Sequence, residues 1–406
     1  MLLPGPGKPN PEGGNEQQPA RTPLMQSAVQ SPEVKHFQGL LEPAGIRLDG
    51  PNEWDVQVNN PDLFRRVLRD GTLGLGEAYM DGWWDCQRLD EMINRAFRAG
   101  LEDRVRNNFR FLVFFLGFRL FNRQSRNRAF QVAEQHYDIG NDVFEHMLDP
   151  YMNYSCGYWD RAECLAQAQV NKMQMICEKL GLEPGMQVLD VGCGWGGLAR
   201  WMVEHHGVSV TGITVSKEQA QLAGERCAGL PVSIKIKDYR DLQGQFDRIV
   251  SVGMFEHVGQ KNYRTFFRQL QSLLKADGLF LLHTIGAGRG GYATDRWIEK
   301  YIFPNGVLPP AAALARHASA FFTIEDWHNF GADYDPTLMA WHRNFNAAWP
   351  ALRGRYGERF KRMFDYYLLV SAGTFRSREN HLWQLVLSPG GLAGGYRTPR
   401  WAVPAG

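Results

Sequence analysis

The feature that most constrains the fold of this chain is an alternation of strand-like and helix-like segments between residues 165 and 286. The strand-like segments are short and apolar, and they lie in GMQVLDVG, VSVTGITV, PVSIKIKDY, FDRIVSVGMFE and DGLFLLHTIG. The helix-like segments are residues 165–180, GLARWMVEHHG, SKEQAQLAGERCAG and NYRTFFRQLQSLLK. Such an alternation indicates βαβ units and a parallel sheet. Because right-handed crossovers bring the carboxyl ends of the strands to one edge, we expect ligands to bind there.

A glycine-rich loop follows the first of these strands. The stretch VLDVGCGWGGLA satisfies G-x-G-x-x-G with Gly192, Gly194 and Gly197. The pattern alone is weak, and it gains value here because it joins a predicted strand to a predicted helix. Glycines permit a tight turn and a close approach by a ligand. The alternative is a glycine-rich turn that serves packing alone.

The residues around this loop argue against a dinucleotide ligand. Asp190 precedes the first glycine by two residues, where its carboxylate would repel a pyrophosphate bound at the helix N-terminus. The next strand ends without the Asp or Glu that a nicotinamide site uses to bind ribose. Thr214, Ser216 and Gln219 offer neutral hydrogen bonds instead. A ligand with a cationic ammonium and a sulfonium suits this loop better, and S-adenosylmethionine is the ligand that fits.

Length and composition are those of a globular protein with two or three domains. The 406 residues carry a net charge of +2, so the chain as a whole does not favour an acidic partner. The six cysteines form no C-x-x-C pair, which predicts reduced thiols in the cytoplasm, and we expect no metal site. The longest apolar run, residues 111–118, is much shorter than the about 20 residues of a membrane span.

The segments before the alternating region differ from it and from one another. Residues 1–37 are rich in Pro, Gly, Gln and Asn, which predicts a disordered tail, and they lack the pattern of a secretory signal. Residues 38–108 mix helical periodicity with glycine breaks and predict a small helical domain. Residues 109–129 predict a basic and aromatic linker helix, and residues 130–406 the catalytic domain.

The linker region has a marked local charge. Seven arginines and no acidic residue lie between Arg104 and Arg128, and the same stretch contains FLVFFLGFRLF. Arginine side chains interspersed with aromatic and aliphatic side chains are typical of a helix that lies on a membrane surface. The alternative is an arginine-rich helix packed on its own protein. A nucleic-acid groove would also be basic, but no nucleic-acid-binding motif accompanies this patch.

Eight motifs, one of which is the glycine-loop stretch itself, match a known family, and several of them are long and far more specific than a glycine loop. They are LGLGEAYMDGWWD, HYDIGNDVF, YMNYSCGYW, VLDVGCGWGGLA, RIVSVGMFEHVG, FLLHTIG, YIFPNG and EDWHNFGADYDPTLMAW. On these motifs the chain, from about Leu40 to Ser388, resembles the bacterial cyclopropane-fatty-acyl-phospholipid synthase family. The resemblance implies an α/β fold of the class I methyltransferase type, Rossmann-like, with a seven-stranded and mostly parallel sheet. A small, mainly helical N-terminal domain that associates with lipid precedes it.

The resemblance also implies a reaction. A methylene group from S-adenosylmethionine is added to a cis double bond in a phospholipid acyl chain, with a bound bicarbonate ion as the base. It implies a cytoplasmic enzyme, peripherally associated with the inner face of the cytoplasmic membrane, that forms a homodimer. Methyl transfer to an isolated alkene creates a carbocation, so the site must exclude water and can stabilise the cation with aromatic faces.

Site residues follow from the same resemblance. The residues expected around bicarbonate are Cys156, Glu256, His283, Ile285 and Tyr334. The residues expected around the cofactor are Tyr154, Ser155, Asp190, Gly192, Gly194, Trp195, Gly196, Thr214, Ser216, Gln219, Asp238 and Tyr239. His136, Tyr137 and Asn141 are expected to help close the site. Family members commonly have Cys where this chain has Ser371, so we assign no nucleophile there.

Glu256 and His283 also stand out from the residues alone, because Glu256 follows the fourth predicted strand and His283 ends the fifth, so both would reach the ligand edge. Alternative readings remain for single residues. Glu256 or His283 could be a structural hydrogen-bonding group, Cys156 a small buried hydrophobe and Tyr334 a loop residue. For the whole chain, the alternatives are methylation of an amine, formation of a methyl-branched acyl chain, or a catalytically silent lipid-binding protein.

Overall fold

The computed structural model of the protein describes residues 32–101, 140–288 and 295–399. The predicted interfacial helix at 109–129 therefore lies outside the described residues, as do His136, Tyr137 and most of the predicted tail. The first described helix begins at Pro32, inside the segment that composition had assigned to the tail.

The N-terminal unit is small and mainly helical. Its helices are α1 (Pro32–Leu41), α2 (Leu63–Asp70), α3 (Thr72–Met80) and α4 (Leu89–Arg98), and its two short strands are β1 (Gln57–Val58) and β2 (Trp84–Asp85). The strands form an antiparallel ribbon. Trp84, on β2, is fully buried against Tyr79.

The sheet of the larger unit has seven strands. They are β3 (Gln187–Val191), β4 (Ser209–Thr214), β5 (Val232–Ile236), β6 (Phe246–Val252), β7 (Leu274–Ala287), β8 (Thr323–Asn329) and β9 (Asn380–Ser388). Their order is β5-β4-β3-β6-β7-β9-β8. The first five are parallel, whereas β9 runs antiparallel to both β7 and β8. The α/β class and the five strands predicted from the alternating pattern are confirmed.

Helices surround this sheet. They are α5 (Asn141–Met147), α6 (Leu165–Leu180), α7 (Gly197–His206), α8 (Lys217–Arg226), α9 (Tyr263–Leu273), α10 (Arg296–Tyr301), α11 (Ala311–Ala318), α12 (Tyr334–Leu352) and α13 (Glu358–Arg376). Single 3₁₀ turns lie at Glu42–Ala44, Tyr239–Asp241, Phe255–His257, Gln260–Asn262 and Gly331–Asp333. Helix α6 buries Met173, Ile176 and Leu180, whose helical spacing forms one apolar face.

The core lies on both faces of the sheet. Along β3, Val188 belongs to the apolar cluster on one face and Leu189 to the cluster on the other, as the two-residue period of a strand requires. Ile249 and Val250 alternate in the same way on β6. Burial on both faces is typical of a parallel sheet covered by helices.

The two units meet through helix α13. Arg376, near its end, forms ion pairs with Asp90 of the N-terminal unit at 2.6 Å and with Asp335 of α12 at 2.8 Å. Trp297 of α10 donates a hydrogen bond to the sulfur of Met80 on α3. Within the residues that the structure describes, no helix combines the length and apolarity needed to cross a membrane.

Candidate active site

A cavity of about 1410 Å³ runs from the carboxyl edge of the sheet into the N-terminal unit. At the sheet its wall includes the glycine loop, Glu256 and His283, and in the N-terminal unit it includes Phe37 and Phe64. The cavity therefore joins the expected cofactor loop to a long apolar space. It forms at the edge predicted from the strand order.

The glycine loop has the backbone that its sequence predicts. Gly192 and Gly194 have φ angles of 88° and 53°, in the left-handed region that favours glycine, and both line the cavity. A side chain at Gly194 would meet no atom within 4 Å, whereas one at Gly192 would meet Met254 at 2.8 Å. Gly194 thus leaves the open space that a close ligand needs.

The next two glycines serve the packing of the protein. Gly196, expected beside the cofactor, does not line the cavity, and a Cβ there would lie 3.2 Å from Ala223 of α8. A Cβ at Gly197 would overlap the carbonyl oxygen of Tyr151. The loop therefore serves both the cavity and the packing, because Gly192, Gly194 and Gly197 line the cavity, whereas Gly196 and Gly197 permit close contacts within the chain.

Asp190 is a buried carboxylic acid on the cavity wall. It lies on β3, and its Oδ2 has no hydrogen-bond partner among the described residues. Burial raises the pKa of Asp190 to about 7, against a smaller lowering by the nearby Lys172. A cationic ammonium in the cavity would restore the ionised form, so this residue fits the amino-acid end of S-adenosylmethionine.

Lys172 is a buried cation beside Asp190, and the sequence interpretation missed it. Its ammonium donates hydrogen bonds to Asn153 Oδ1 at 3.1 Å and to Ser155 Oγ at 2.9 Å. Burial lowers its pKa to about 8. Because Ser155 Oγ accepts this bond, its own hydrogen is available to a carboxylate. The signal that could have found Lys172 is its position next to Met173, on the apolar face of α6.

The turn after β4 is held by its own side chains. Thr214 donates from Oγ1 to Gln219 Oε1 at 2.9 Å, and Ser216 Oγ accepts the backbone N–H of Gln219 as the N-cap of α8. All three residues line the cavity, as expected for the cofactor site. This network fixes the orientation of the Gln219 side chain, because its amide oxygen accepts the hydrogen bond from Thr214.

Asp238 and Tyr239, expected beside adenine, also line the cavity. The carboxylate of Asp238 accepts from Arg240 Nε at 2.7 Å and from the Arg240 backbone N–H at 2.9 Å. The ring of Tyr239 packs edge-on against Phe266, 5.3 Å between centroids. A ligand at Asp238 would therefore share that carboxylate with Arg240.

Two aromatic residues at the cavity are tied to neighbouring helices. Trp195 donates from Nε1 to Asn141 Oδ1 at 3.1 Å, which gives a structural role to one of the three residues expected to close the site. The hydroxyl groups of Tyr154 and Tyr367 are 2.9 Å apart, and Tyr154 packs 5.2 Å from Trp341. Tyr154, Trp195 and Tyr367 therefore give the cavity an aromatic wall.

Glu256 is buried in the 3₁₀ turn Phe255–His257, which follows β6. Its Oε1 accepts the backbone N–H of Ile285 at 2.7 Å, and Ile285 also lines the cavity. Its Oε2 has no hydrogen-bond partner in the described part of the chain. Burial raises the pKa of Glu256 to about 7. The residue can therefore accept or release a proton near neutral pH.

His283 is held in one tautomer by the neighbouring strand. The amide nitrogen of Gln384, its register partner on β9, donates to His283 Nδ1 at 3.2 Å. Burial pushes the pKa of His283 well below its usual value, so the ring is neutral and its proton is on Nε2. Nε2 is buried without a protein partner among the described residues, and His283 lines the cavity.

Tyr334 and Cys156 occupy different positions relative to the cavity. Tyr334 begins α12, stacks on Phe375 at 4.4 Å and lines the cavity. Cys156 is fully buried but is not part of the cavity wall, and its Sγ lies 3.9 Å from Thr337 Oγ1. Burial raises the pKa of the Cys156 thiol well above its usual value, which excludes a resting thiolate.

The remaining positions extend this picture. Ser371, to which we assigned no nucleophilic role, lies on α13 and lines the cavity. Within residues 32–101, 140–288 and 295–399, no cluster of three or more His, Cys, Asp or Glu side chains could hold a metal ion. The polar part of the cavity is instead formed by buried groups with open hydrogen-bonding capacity, namely Asp190, Glu256 and His283.

Known proteins resemble the chain over most of its length. Residues 124–385 match the family described as mycolic acid cyclopropane synthetase. The cyclopropane-fatty-acyl-phospholipid synthase of Escherichia coli (strain K12) is 56% identical over 361 residues, which cover 89% of this chain and 94% of that protein. Tuberculostearic acid methyltransferase UfaA1 of Mycobacterium tuberculosis is 32% identical over 361 residues, covering 83% and 84% respectively.

A solved structure agrees with this assignment. Mycolic acid cyclopropane synthase CmaA1, complexed with SAH and CTAB, aligns with a TM-score of 0.59 at 34% sequence identity. The alignment covers 64% of this chain and 97% of that one. The chain therefore belongs to the mycolic acid cyclopropane synthetase family and is an S-adenosylmethionine-dependent methyltransferase.

Proposed function

We propose that this enzyme converts cis double bonds of phospholipid acyl chains into cyclopropane rings. The observation that carries the proposal is one continuous cavity that joins the glycine loop, the buried pair Glu256 and His283, and a long apolar space. The 56% identity to the Escherichia coli synthase supports the same reaction. S-Adenosylmethionine, when bound, would supply the methyl group that becomes the methylene of the ring.

The cavity wall protects the chemistry that follows. Addition of a methyl group to an alkene leaves a carbocation on the acyl chain, which water would trap as an alcohol. Tyr154, Tyr334, Tyr367 and Phe375 line the cavity and present aromatic faces and edges to that cation. Loss of one hydrogen from the added methyl group then closes the ring.

The groups around the departing proton fit a small oxyanion. His283 would donate from Nε2, Tyr334 from its hydroxyl, and Glu256 would present Oε2, which has no partner among the residues that the structure describes. A bicarbonate ion held there would supply the base. Because the pKa of Glu256 is about 7, its carboxylate can accept the proton that the site must finally release. Cys156 has no direct role in this proposal, because it lies outside the cavity wall.

The proposal assigns different tasks to the segments of the chain. Residues 130–406 form the catalytic domain, and residues 38–108 form a domain that contributes the apolar end of the cavity and associates with lipid. The arginines between Arg104 and Arg128 would attract anionic lipid at roughly 1 kcal/mol for each residue near the surface. We extend the proposal to a cytoplasmic homodimer bound peripherally to the membrane, without a nucleic-acid partner.

The decisive experiment is incubation with S-adenosylmethionine and vesicles of monounsaturated phospholipid, followed by mass spectrometry of the acyl chains. Cyclopropanation adds CH2, whereas methylation with reduction, the reaction that a methyl-branched product requires, adds CH4. A methylated headgroup would reveal an amine substrate instead. Unmodified lipid with bound cofactor would favour the silent lipid-binding protein.

The membrane part of the proposal has its own test. We expect the triple variant Arg119→Glu, Arg123→Glu and Arg126→Glu to sediment less with anionic vesicles than the unchanged protein. Equal sedimentation of the two proteins would remove the linker from the membrane-binding surface. Cyclopropane formation from lipid dispersed in detergent would still report on the reaction itself.

A further inference from the structure

The end of the cavity in the N-terminal unit reaches solvent. Four residues of this unit both line the cavity and are exposed, and they are His36, Leu68, Arg69 and Thr72. They belong to α1, α2 and the start of α3. We call these four residues the mouth.

The wall behind the mouth is apolar. Phe37 of α1 and Phe64 of α2 are in contact, with ring centroids 5.2 Å apart, and Leu40 and Val67 line the cavity beside them. The same cavity is lined at its other end by Glu256. A molecule that enters here therefore passes along hydrocarbon side chains to the reactive groups, which suits an acyl chain.

Leu68 is unusual because it is large, apolar and exposed. Its relative exposure is 47%, and Ile236 on β5, at 50%, is the other large apolar residue exposed to this degree in the described ranges. Helix α2 turns Leu63 and Phe64 inward, and Leu68 continues the Phe64 face by one turn toward solvent. A single exposed leucine needs no explanation by itself, but this one is at the opening of a cavity.

Basic side chains flank the mouth. Arg65 and Arg69 lie one helical turn apart on α2, with 85% and 72% of their side chains exposed. Both have acidic neighbours, Asp62 at 3.4 Å and Asp70 at 2.7 Å, but exposed pairs of this kind are weak and can exchange for phosphate. Lys35 of α1 is exposed next to His36.

We propose that the mouth is the port through which the acyl chain of a bilayer phospholipid enters the enzyme. Leu68 inserts among the acyl chains at the membrane surface, and Arg65 and Arg69 contact lipid phosphates. The port rests on the proposed function and deepens it, because it names where the lipid leaves the bilayer. The residues of the port are different from the linker arginines between Arg104 and Arg128.

The test compares Leu68→Asp with the matched control Ile236→Asp in the full-length chain. Each change puts a carboxylate at a similarly exposed apolar position, but only Leu68 lines the cavity. The substrates are vesicles of monounsaturated phosphatidylglycerol and phosphatidylethanolamine, and the same lipids dispersed in detergent micelles. We expect Leu68→Asp to lower the initial rate on vesicles and the vesicle-bound fraction about tenfold, because a charge resists insertion.

The remaining measurements separate the possible causes. In calorimetric binding of S-adenosylhomocysteine, Leu68→Asp should stay within about twofold of the unchanged enzyme, and Leu68→Phe should retain the vesicle rate. A vesicle rate for Leu68→Asp equal to that of the unchanged enzyme overturns the port. An equal loss for Ile236→Asp also overturns it. If the unchanged enzyme forms no cyclopropane on either substrate, the proposed function fails instead.

Discussion

The two ends of the cavity are built from opposite chemistry. At the sheet end, Asp190, Lys172, Glu256 and His283 are buried polar groups whose pKa values burial has moved toward or below neutrality. At the N-terminal end, apolar side chains lead to a mouth with exposed Leu68 and exposed arginines. Buried charges interact strongly and exposed ones are screened. Single-atom changes should therefore have large effects at the sheet end and moderate effects at the mouth.

The largest effect should come from Glu256→Gln. This change keeps the volume and the bond from the Ile285 N–H but removes the proton acceptor, so we expect kcat to fall about 10³-fold. Binding of S-adenosylhomocysteine, measured by calorimetry, should change by less than about twofold. If Glu256→Gln has the same kcat as the unchanged enzyme, the buried carboxyl group is structural. The expected difference between the two ends of the cavity is then wrong.

The same carboxyl group predicts the pH profile of the unchanged enzyme. Burial raises the pKa of Glu256 to about 7, so its accepting, ionised form increases as pH rises through that value. We expect kcat at saturating lipid to rise with pH over this range. The residual activity of Glu256→Gln should not show this rise. A fall in kcat over the same range would show that protonated Glu256 is the active form.

The variant Lys172→Met tests how much a buried charge contributes to cofactor binding. Removal of the ammonium beside Ser155 should weaken binding of S-adenosylhomocysteine about 30-fold, the value of one charge-assisted contact. Binding of 5′-methylthioadenosine, which lacks the amino acid, should stay almost unchanged. The control is Lys179→Met, because Lys179 is also buried but pairs with Asp326 at 3.1 Å, outside the cavity wall. Equal losses of affinity for S-adenosylhomocysteine and 5′-methylthioadenosine would refute the assignment of Lys172 to the amino-acid end of the cofactor.

Gln384→Met should have a smaller effect, because Gln384 acts through His283. Without the amide donor to Nδ1, the imidazole is no longer confined to the tautomer that carries its proton on Nε2. We expect about a tenfold loss of kcat and a changed ¹⁵N spectrum of the imidazole, with cofactor affinity preserved. An unchanged ¹⁵N spectrum would mean that the fold alone sets the tautomer.

Asp190→Asn should have the smallest effect of these changes. It should raise the thermal stability of the cofactor-free enzyme, whereas the changes above lower kcat or cofactor affinity. Burial raises the pKa of Asp190 to about 7, so the free folded enzyme holds a proton that the unfolded chain releases near pH 3.8. Stability should therefore decline as pH rises between these values, and Asp190→Asn should remove that decline. Above pH 7 we expect Tm of the cofactor-free variant to exceed that of the unchanged enzyme by about 2–4 °C. A lower Tm would show that ionised Asp190 stabilises the fold through Lys172.

Much of the sheet end could be predicted because its information is local. Strand periodicity located β3 to β7, and position after β6 or toward the end of β7 singled out Glu256 and His283. The glycine loop and Asp190 follow from the same stretch of sequence. Strand β9 was harder to find, because it follows two long helices and inserts antiparallel between β7 and β8.

The sequence by itself determined the α/β class, the ligand edge and the glycine loop with Asp190, since short-range periodicity and glycine spacing encode them, whereas most other site residues followed from the family resemblance. Only the tertiary structure decided which distant residues complete the site. It paired His283 with Gln384, 101 residues away, and excluded Cys156 and Gly196 from the cavity wall. It also turned Lys172 toward Ser155 and joined the N-terminal helices to the sheet. These long-range contacts depend on which faces of the helices and strands pack together when the core forms. No local sequence pattern specifies that packing.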